Sequence, residues 1–312
     1  MTMEQKSALP PSRAPYVVGI GICTYDHLFR ISGLPVEGQR SKVDAYAIQG
    51  GGMVPTALVT LQRLGVDSSF VGITGDDKEG DHIRTGLEEE GVDTEGVITD
   101  PGTLSRVTLV LVDSRDGERT FIPRKGTHRN LTPADLDSEL ISRASALHLD
   151  DADATALAAA QLAHEAGVPV FLDATWQNES MVDLLPLVDV AIAGERFAAD
   201  WSSGATPKQV ATNLVRAGAR IGVVTLGSKG GVAVYSDLSV TKWSSFKINV
   251  VDTTGAGDSF HGAFIYGVLQ KWGLEESLHF AAAVGAMNCL RLGGRTGLPS
   301  RDDVDQFLLE YS

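Results

Sequence analysis

Between Asn249 and Val268 the chain reads NVVDTTGAGDSFHGAFIYGV, and this stretch holds the residues best suited to chemistry. A short apolar run enters Asp252-Thr253-Thr254, then Gly255-Ala256-Gly257-Asp258. Residues 259–269 follow with the composition of a helix whose small residues Gly262, Ala263 and Gly267 allow close packing. The first N–H groups of a helix have no partner inside it and carry partial positive charge. Glycines ahead of them let a phosphate approach the backbone. The N–H groups of Gly255, Ala256 and Gly257 are therefore a candidate anion hole, the fixed donor set that a phosphoryl group needs in its transition state. Asp258, at the same helix end, has the chemistry to accept the proton of an attacking hydroxyl. Its plainer role is a helix N-cap, and spacing alone does not choose between the two.

Other phosphate-handling signatures are absent. No G-x-x-x-x-G-K-[ST] loop occurs, and no H-R-D or D-F-G set of a protein kinase. Gly19 and Gly21 in VVGIGICTYD lack the third glycine of a dinucleotide fingerprint. His27, His82, His148 and His164 match no metal-ligand spacing and read as structural, as does His261 inside the helix or beside a nucleotide. Trp176, Trp201, Trp243 and Trp272 form no stacking pattern.

The elements that must carry this loop alternate. Strands are expected at Tyr16–Ile22, Ser69–Ile73, Ala146–Leu149, Pro169–Asp173, Val188–Ala193 and Gly222–Leu226. Helices are expected at Thr56–Leu64, at Gly80–Glu90 ending on Gly91, at Ala154–Ala166 and at Pro207–Ala217. That β-α rhythm argues for an α/β fold, a mainly parallel sheet with helices on both faces. The strand order is not readable from it. Two regions break the rhythm: Leu28–Tyr46, and Ser105–Pro123, which reads as a hairpin turning at Asp116-Gly117. Together, at residues 28–48 and 105–125, they predict a small antiparallel sheet projecting as a lid, an edge extension of the main sheet being the alternative. Residues 1–15, with Pro10, Pro11 and Pro15, read as a flexible tail, and residues 16–312 as one domain.

The chain has 312 residues and a formal net charge of −14, which opposes nucleic-acid and anionic-membrane partners. No apolar run reaches the length of a membrane span and no secretory signal is present, so a cytoplasmic protein is expected. Cys23 and Cys289 read as buried small hydrophobes.

The run DTTGAGDSFHGAF resembles the C-terminal signature of the PfkB/ribokinase family of carbohydrate kinases. GIGICTYDHLF, GGGMVPTALVTLQRLG, VGITGDDKEGDHI and VVTLGSKGG resemble other family segments in the expected order, so that residues 16–305 are covered. GLP at Gly33–Pro35 and the terminal GGRTGLP resemble the ketohexokinase-like and sulfofructose-kinase-like branch. The resemblance implies a three-layer α/β/α sandwich with a small β-sheet lid, and ATP-dependent phosphorylation of a sugar hydroxyl. It makes Asp258 the base and Gly255, Ala256 and Gly257 the anion hole. The sugar would contact Asp26, Gly51, Gly52 and Thr56. ATP would lie along Thr225, Gly227, Ser228 and Gly230 and near Asn288 and Gly293, with Mg²⁺. Asp252 marks a possible K⁺ site, and a homodimer through the lids is implied. A nucleoside kinase, or a sugar-binding regulator that has lost catalysis, are the alternatives.

Three departures from the family pattern stand out. The N-x-x-E that organises Mg²⁺ is replaced in Ala193-Gly194-Glu195-Arg196-Phe197, where Glu195 is a substitute carboxylate or simply a solvated one. Thr56 stands where many family members have Asn. PRKGTHRN after the hairpin brings together Arg124, Lys125, His128 and Arg129, with Arg40 in the other lid segment. Arg124 and Arg40 suit an anionic group on the acceptor, a carboxylate, phosphate or sulfonate; a solvated loop or salt bridges to a partner lid are the alternative.

Overall fold

A computed structural model describes residues 15–175, 180–201 and 204–311; the expected tail, apart from Pro15, and Trp176 lie outside the described residues. The strands are β1 (Tyr16–Ile20), β2 (Thr24–Ile31), β3 (Val43–Gly51), β4 (Asp67–Gly75), β5 (Val97–Asp100), β6 (Val107–Asp113), β7 (Arg119–Arg124), β8 (Ala146–Leu149), β9 (Val170–Ala174), β10 (Val190–Gly194), β11 (Ile221–Thr225), β12 (Gly231–Tyr235) and β13 (Val240–Trp243). Nine form one sheet in the order β13-β12-β11-β10-β9-β8-β1-β4-β5, and four form a second in the order β3-β2-β6-β7. From β11 to β5 all neighbours are parallel, and β12 and β13 return antiparallel.

Successive residues of a strand point to opposite faces, and both faces of the large sheet are covered. Val17 packs with helices Met53–Arg63, Ala256–Leu269 and Leu274–Asn288 on one side. Val18 packs with helix Ala154–Ala166 on the other. The result is the expected three-layer ribokinase-like arrangement. Helix Ala256–Leu269 is buried along most of its length, which explains its small residues. A Cβ on Gly262 would meet Ala57 O at 2.4 Å, and one on Gly267 would meet Ser277 Oγ at 2.7 Å.

Two expectations need correcting. The helix expected from Ser259 begins at Ala256, so Ala256, Gly257 and Asp258 form its first turn. The small sheet is not wholly antiparallel: β2 and β6 pair in parallel, because the chain crosses the large sheet through β4 and β5 between them. The hairpin β6–β7 is as expected. Leu28, Val110 and Val112 on the inner face of this sheet close over Leu292, so it rests on the loop that follows helix Leu274–Asn288.

Candidate active site

Helix Ala256–Leu269 starts from Gly255, whose φ of 75° lies in the left-handed region. A Cβ there would fall 2.4 Å from Gly294 O, so glycine alone permits the approach of the two loops. Asp252 has no exposed surface, and it ties the same loops together. Its Oδ1 accepts from Thr254 N and its Oδ2 from Gly293 N, each at 2.8 Å. Asn288, equally buried, donates to Thr254 O at 3.1 Å and Gly294 O at 3.0 Å. With this frame fixed, the backbone amides of Gly255, Gly257 and Asp258 make no hydrogen bond among the described residues. Ala256 N departs from the expected anion hole, turning back to Thr253 O at 3.3 Å. The space where a Cβ on Gly257 would stand is open, and Gly257 is exposed.

Asp258 keeps part of its surface accessible. Burial, reinforced by Asp173, raises its pKa to about 7, while Arg119 and Arg295 oppose the rise. A carboxylate poised there suits a proton acceptor near neutrality. Asp26, on β2, is 6% exposed; its Oδ1 has no partner, and burial raises its pKa to about 6. A Cβ on Gly51 would lie 2.0 Å from Asp26 Oδ2, so the di-glycine is what admits this carboxylate. Gly52 caps helix Met53–Arg63 at φ 106°, and Thr56, 2% exposed, sits in its first turn. Asp26, Gly51, Gly52, Thr56 and Asp258 thus gather at one place.

Two residues there escaped the sequence reading. Arg295 is 5% exposed and donates from Nε to Thr56 Oγ1 at 3.3 Å and from Nη2 to Gly51 O at 3.2 Å. Burial lowers its pKa to about 10, and the carboxylates of Asp26 and Asp258 are close enough to resist that. An arginine inside a glycine run, GGRTG, was the available signal. Arg119, at the start of β7, donates from Nη1 to Thr253 Oγ1 at 3.0 Å. Beside it, Gly117 O accepts from Thr253 N at 2.9 Å and from Thr253 Oγ1 at 2.8 Å. The turn of the β6–β7 hairpin is therefore docked on the loop that precedes helix Ala256–Leu269.

Comparison with known proteins decides what this constellation belongs to. The profile of "pfkB family carbohydrate kinase" matches residues 14–301. An "ATP-dependent ribose-1-phosphate kinase" of Halopiger xanaduensis is 31% identical over 94% of this chain and 98% of its own. "Fructokinase-1" of Oryza sativa subsp. japonica is 30% identical over 94% of this chain and 97% of its own. The solved Arabidopsis thaliana ribokinase "complexed with Ribose and ATP" superposes with a TM-score of 0.80 at 25% identity, covering 95% of this chain and 99% of that one. The chain belongs to the pfkB family of carbohydrate kinases. It is an ATP-dependent sugar kinase. Relatives that include a ribose-1-phosphate kinase and a fructokinase set the family and leave the ketohexokinase-like branch open.

The residues expected along the nucleotide stand at the carboxyl ends of β10 and β11, where Gly194 pairs with Thr225. Gly227 and Ser228 are exposed on the turn after β11, and Gly230 closes that turn at φ 80°. Asn288 and Gly293 are both buried and brace the loops around Gly255 and Gly294. Glu195 is exposed and paired with Lys229 at 3.1 Å. Phe197, in the position of the missing glutamate, is 4% exposed and stacks on Trp201. Among the described residues no three His, Cys, Asp or Glu side chains stand together as a metal site.

The basic cluster is not one surface. Arg129 forms a two-pronged pair with Asp135 at 2.7 and 2.8 Å. Arg124 donates to Ser105 O at 3.1 Å and lies near Asp77. Arg40 is exposed and makes no ion pair among the described residues. Neither Arg40 nor Arg124 is drawn to Asp26 or Asp258.

Proposed function

We propose that this kinase moves the γ-phosphoryl group of ATP onto a sugar hydroxyl held between Asp26, Gly51, Gly52 and Thr56, with Asp258 as general base. The observation that carries this reading is the free amides of Gly255, Gly257 and Asp258 standing beside a carboxylate whose pKa is near 7. The sugar oxygen attacks phosphorus, its proton passes to the Asp258 carboxylate, and the bond from phosphorus to the β–γ bridging oxygen breaks to leave ADP. The amides and Arg119 offset the charge that spreads over the transferring oxygens. The small sheet acts as a lid, since its hairpin already rests on Thr253, and a closed lid keeps water from taking the phosphate. Arg295 fills the floor beside Thr56, where it fixes the Gly51 carbonyl and holds Asp26 and Asp258 in one field.

Mg²⁺ fits as a passenger of the nucleotide, because no three-ligand site is formed among the described residues and Glu195 stands exposed near the turn after β11; it would screen the phosphate charges. The two Asp252 oxygens each hold a backbone amide, so a K⁺ ion there would share an oxygen already engaged. The outer face of the small sheet leaves Tyr46 49%, Ile48 43% and Ile122 50% exposed, and a second copy of the chain is the partner we assign to it. No helix of the described residues is long and apolar enough to cross a membrane, and two buried, unpaired cysteines suit the cytoplasm. The test is ADP release from ATP with a panel of neutral sugars, sugar phosphates, sugar acids and nucleosides. A sugar of any of these classes that drives turnover in the wild type and not in Asp258→Asn supports the reading. Equal turnover in both proteins overturns it.

A further inference from the structure

Two loops meet at the start of helix Ala256–Leu269, one leading into it and one following helix Leu274–Asn288, and a side-chain amide joins them. Asn288 has no exposed surface. Its Nδ2 donates to Thr254 O at 3.1 Å in the first loop and to Gly294 O at 3.0 Å in the second. An amide NH₂ carries two hydrogens, so both are spent on this pair of carbonyls.

A peptide unit is planar, and in its trans form the C=O and N–H point in opposite directions. The Thr254 carbonyl shares a peptide with the Gly255 N–H, one of the free amides proposed to receive the phosphoryl group. Holding the oxygen therefore fixes the direction of that N–H. The Gly294 carbonyl shares a peptide with Arg295, whose side chain reaches Thr56 and Gly51. One buried amide thus orients both an anion-hole donor and the backbone of the buried arginine. The fit leaves little space: a Cβ on Gly255 would stand 3.0 Å from Asn288 Nδ2 and 2.4 Å from Gly294 O.

The K⁺ implied at Asp252 would have three tasks here: to hold the loop carbonyls, to satisfy the buried carboxylate, and to place positive charge beside it. The chain already performs each. Asn288 holds the carbonyls. Thr254 N and Gly293 N, at 2.8 Å each, satisfy Asp252. Arg119, bonded to Thr253 Oγ1 at 3.0 Å, brings a guanidinium one residue along. Two neutral oxygens on the same residues, Asn288 Oδ1 and Thr254 Oγ1, are buried without a partner among the described residues, and they argue at first for a cation. An ion on the Thr254 and Gly294 carbonyls, however, would face the Nδ2 hydrogens, the positive end of the amide, at the same two oxygens. The donor set does not fit a cation.

We propose that the Asn288 side-chain amide stands in for a monovalent cation at this junction, that phosphoryl transfer by this chain therefore needs no K⁺, and that Asn288 is a positioning residue for the Gly255 N–H. The kinetic consequences rest on the sugar-kinase reading above; the consequence for cation binding does not.

The experiment compares wild type, Asn288→Ala and Asn288→Asp in KCl, NaCl and tetramethylammonium chloride at one ionic strength, so that general screening is constant. Thermal melts read cation binding without turnover, because an ion that binds only the folded chain raises its melting temperature. ADP release with a sugar that drives turnover reads kcat and KM. Wild type should give the same melting temperature and the same kcat in all three salts. Asn288→Ala leaves two buried carbonyls without their donor and frees the Gly255 peptide. In tetramethylammonium its kcat should fall about tenfold or more, by a larger factor than KM rises, and K⁺ entering the vacated space should restore part of the loss. Asn288→Asp keeps the shape, exchanges the donor for an oxygen, and should gain the same dependence on K⁺. A wild type whose melting temperature or kcat is higher in K⁺ or Na⁺ than in tetramethylammonium overturns the proposal. So does a folded Asn288→Ala whose kcat in tetramethylammonium stays within about threefold of wild type, since the amide would then only add stability. If Asn288→Ala folds in none of the salts, the wild-type melts and Asn288→Asp decide. If no sugar drives turnover in the wild type, the kinase reading falls, and the melts still judge the amide.

Discussion

Strands β1, β8 and β9 of the large sheet are almost wholly buried, mostly apolar runs covered on both faces, whereas β2 and β6 of the small sheet alternate buried and half-buried positions and β3 half-buried and exposed ones, so that one face is less covered than the other. The large sheet and its helices carry the phosphoryl-transfer corner, where Asp252, Asn288 and Gly255 leave little room for adjustment. The small sheet carries Asp26 and Arg119 to that corner from outside. The proposed function places chemistry on the part that is packed like an interior, and capture of the sugar on the part that retains a free face. The contrast predicts that changes at the corner act on kcat, and changes in the small sheet act on affinity and association.

The largest effect belongs to Asp258→Asn. Loss of a general base predicts a fall in kcat of about 10²- to 10⁴-fold with the melting temperature nearly unchanged, since no hydrogen bond among the described residues depends on this side chain. ADP release and a thermal melt read both. A variant within threefold of wild type would break the assignment of chemistry to this helix end. Next is Gly255→Ala set beside Gly38→Ala. Both glycines have positive φ, 75° and 76°, but a Cβ on Gly255 meets Gly294 O whereas one on Gly38 meets nothing. Strain at a left-handed residue costs about 1–3 kcal/mol; Gly38→Ala should show that alone. Gly255→Ala should add a steric clash and a loss of kcat, seen in chemical denaturation and initial rates. Equal losses of stability with equal rates would show that the corner is no stiffer than a loop of the small sheet.

What the sequence made legible follows the same division. The strand Ala146–Leu149 and the helix Ala154–Ala166 appear as read, because a buried apolar run and a capped, alanine-rich stretch are local patterns. The Gly-Ala-Gly-Asp loop was legible for a similar reason: glycines, helix start and carboxylate are contiguous. The parallel pairing of β2 with β6 was not, since it is set by where the chain travels between them. Arg295 was hidden for another reason. It reaches Thr56 and Gly51, which precede it by more than 200 residues, and no periodicity records such a contact. The bond of Arg124 to Ser105 O was not legible either, because a cluster of charge in sequence says nothing about which side chains already have partners in space.

Arg295 sits between the two regions, and its removal sharpens the comparison by moderate amounts. Arg295→Gln takes away a positive charge that opposes the rise in the Asp258 pKa. As the proposed base, Asp258 would act only when deprotonated, so activity should rise as pH climbs through about 7, and without Arg295 that limb should move to higher pH. KM for the sugar should rise about tenfold as Thr56 and Gly51 lose their donor. A pH profile of kcat/KM with the limb in place, and only a lowered melting temperature, would reduce Arg295 to a structural filler.

The smallest effect on chemistry is expected at the outer face of the small sheet. Tyr46, Ile48 and Ile122 lie there in neighbouring rows, His27 linking them by pairing with Ile48 and bonding Tyr46 at 2.8 Å. Exposed apolar side chains gathered on one face mark an association surface more often than they do when scattered. Ile48→Glu with Ile122→Glu places two like charges on that face, and each would meet its copy across a twofold axis. Sedimentation should then show a monomer where the wild type is a dimer, with kcat changed less than threefold, because neither residue touches the corner that holds Asp258. A wild type that sediments as a monomer at micromolar concentration would remove the second copy from this face. A charged variant that loses kcat as strongly as Asp258→Asn would show that the small sheet takes part in the chemistry, and the division of labour between the two sheets would fall with it.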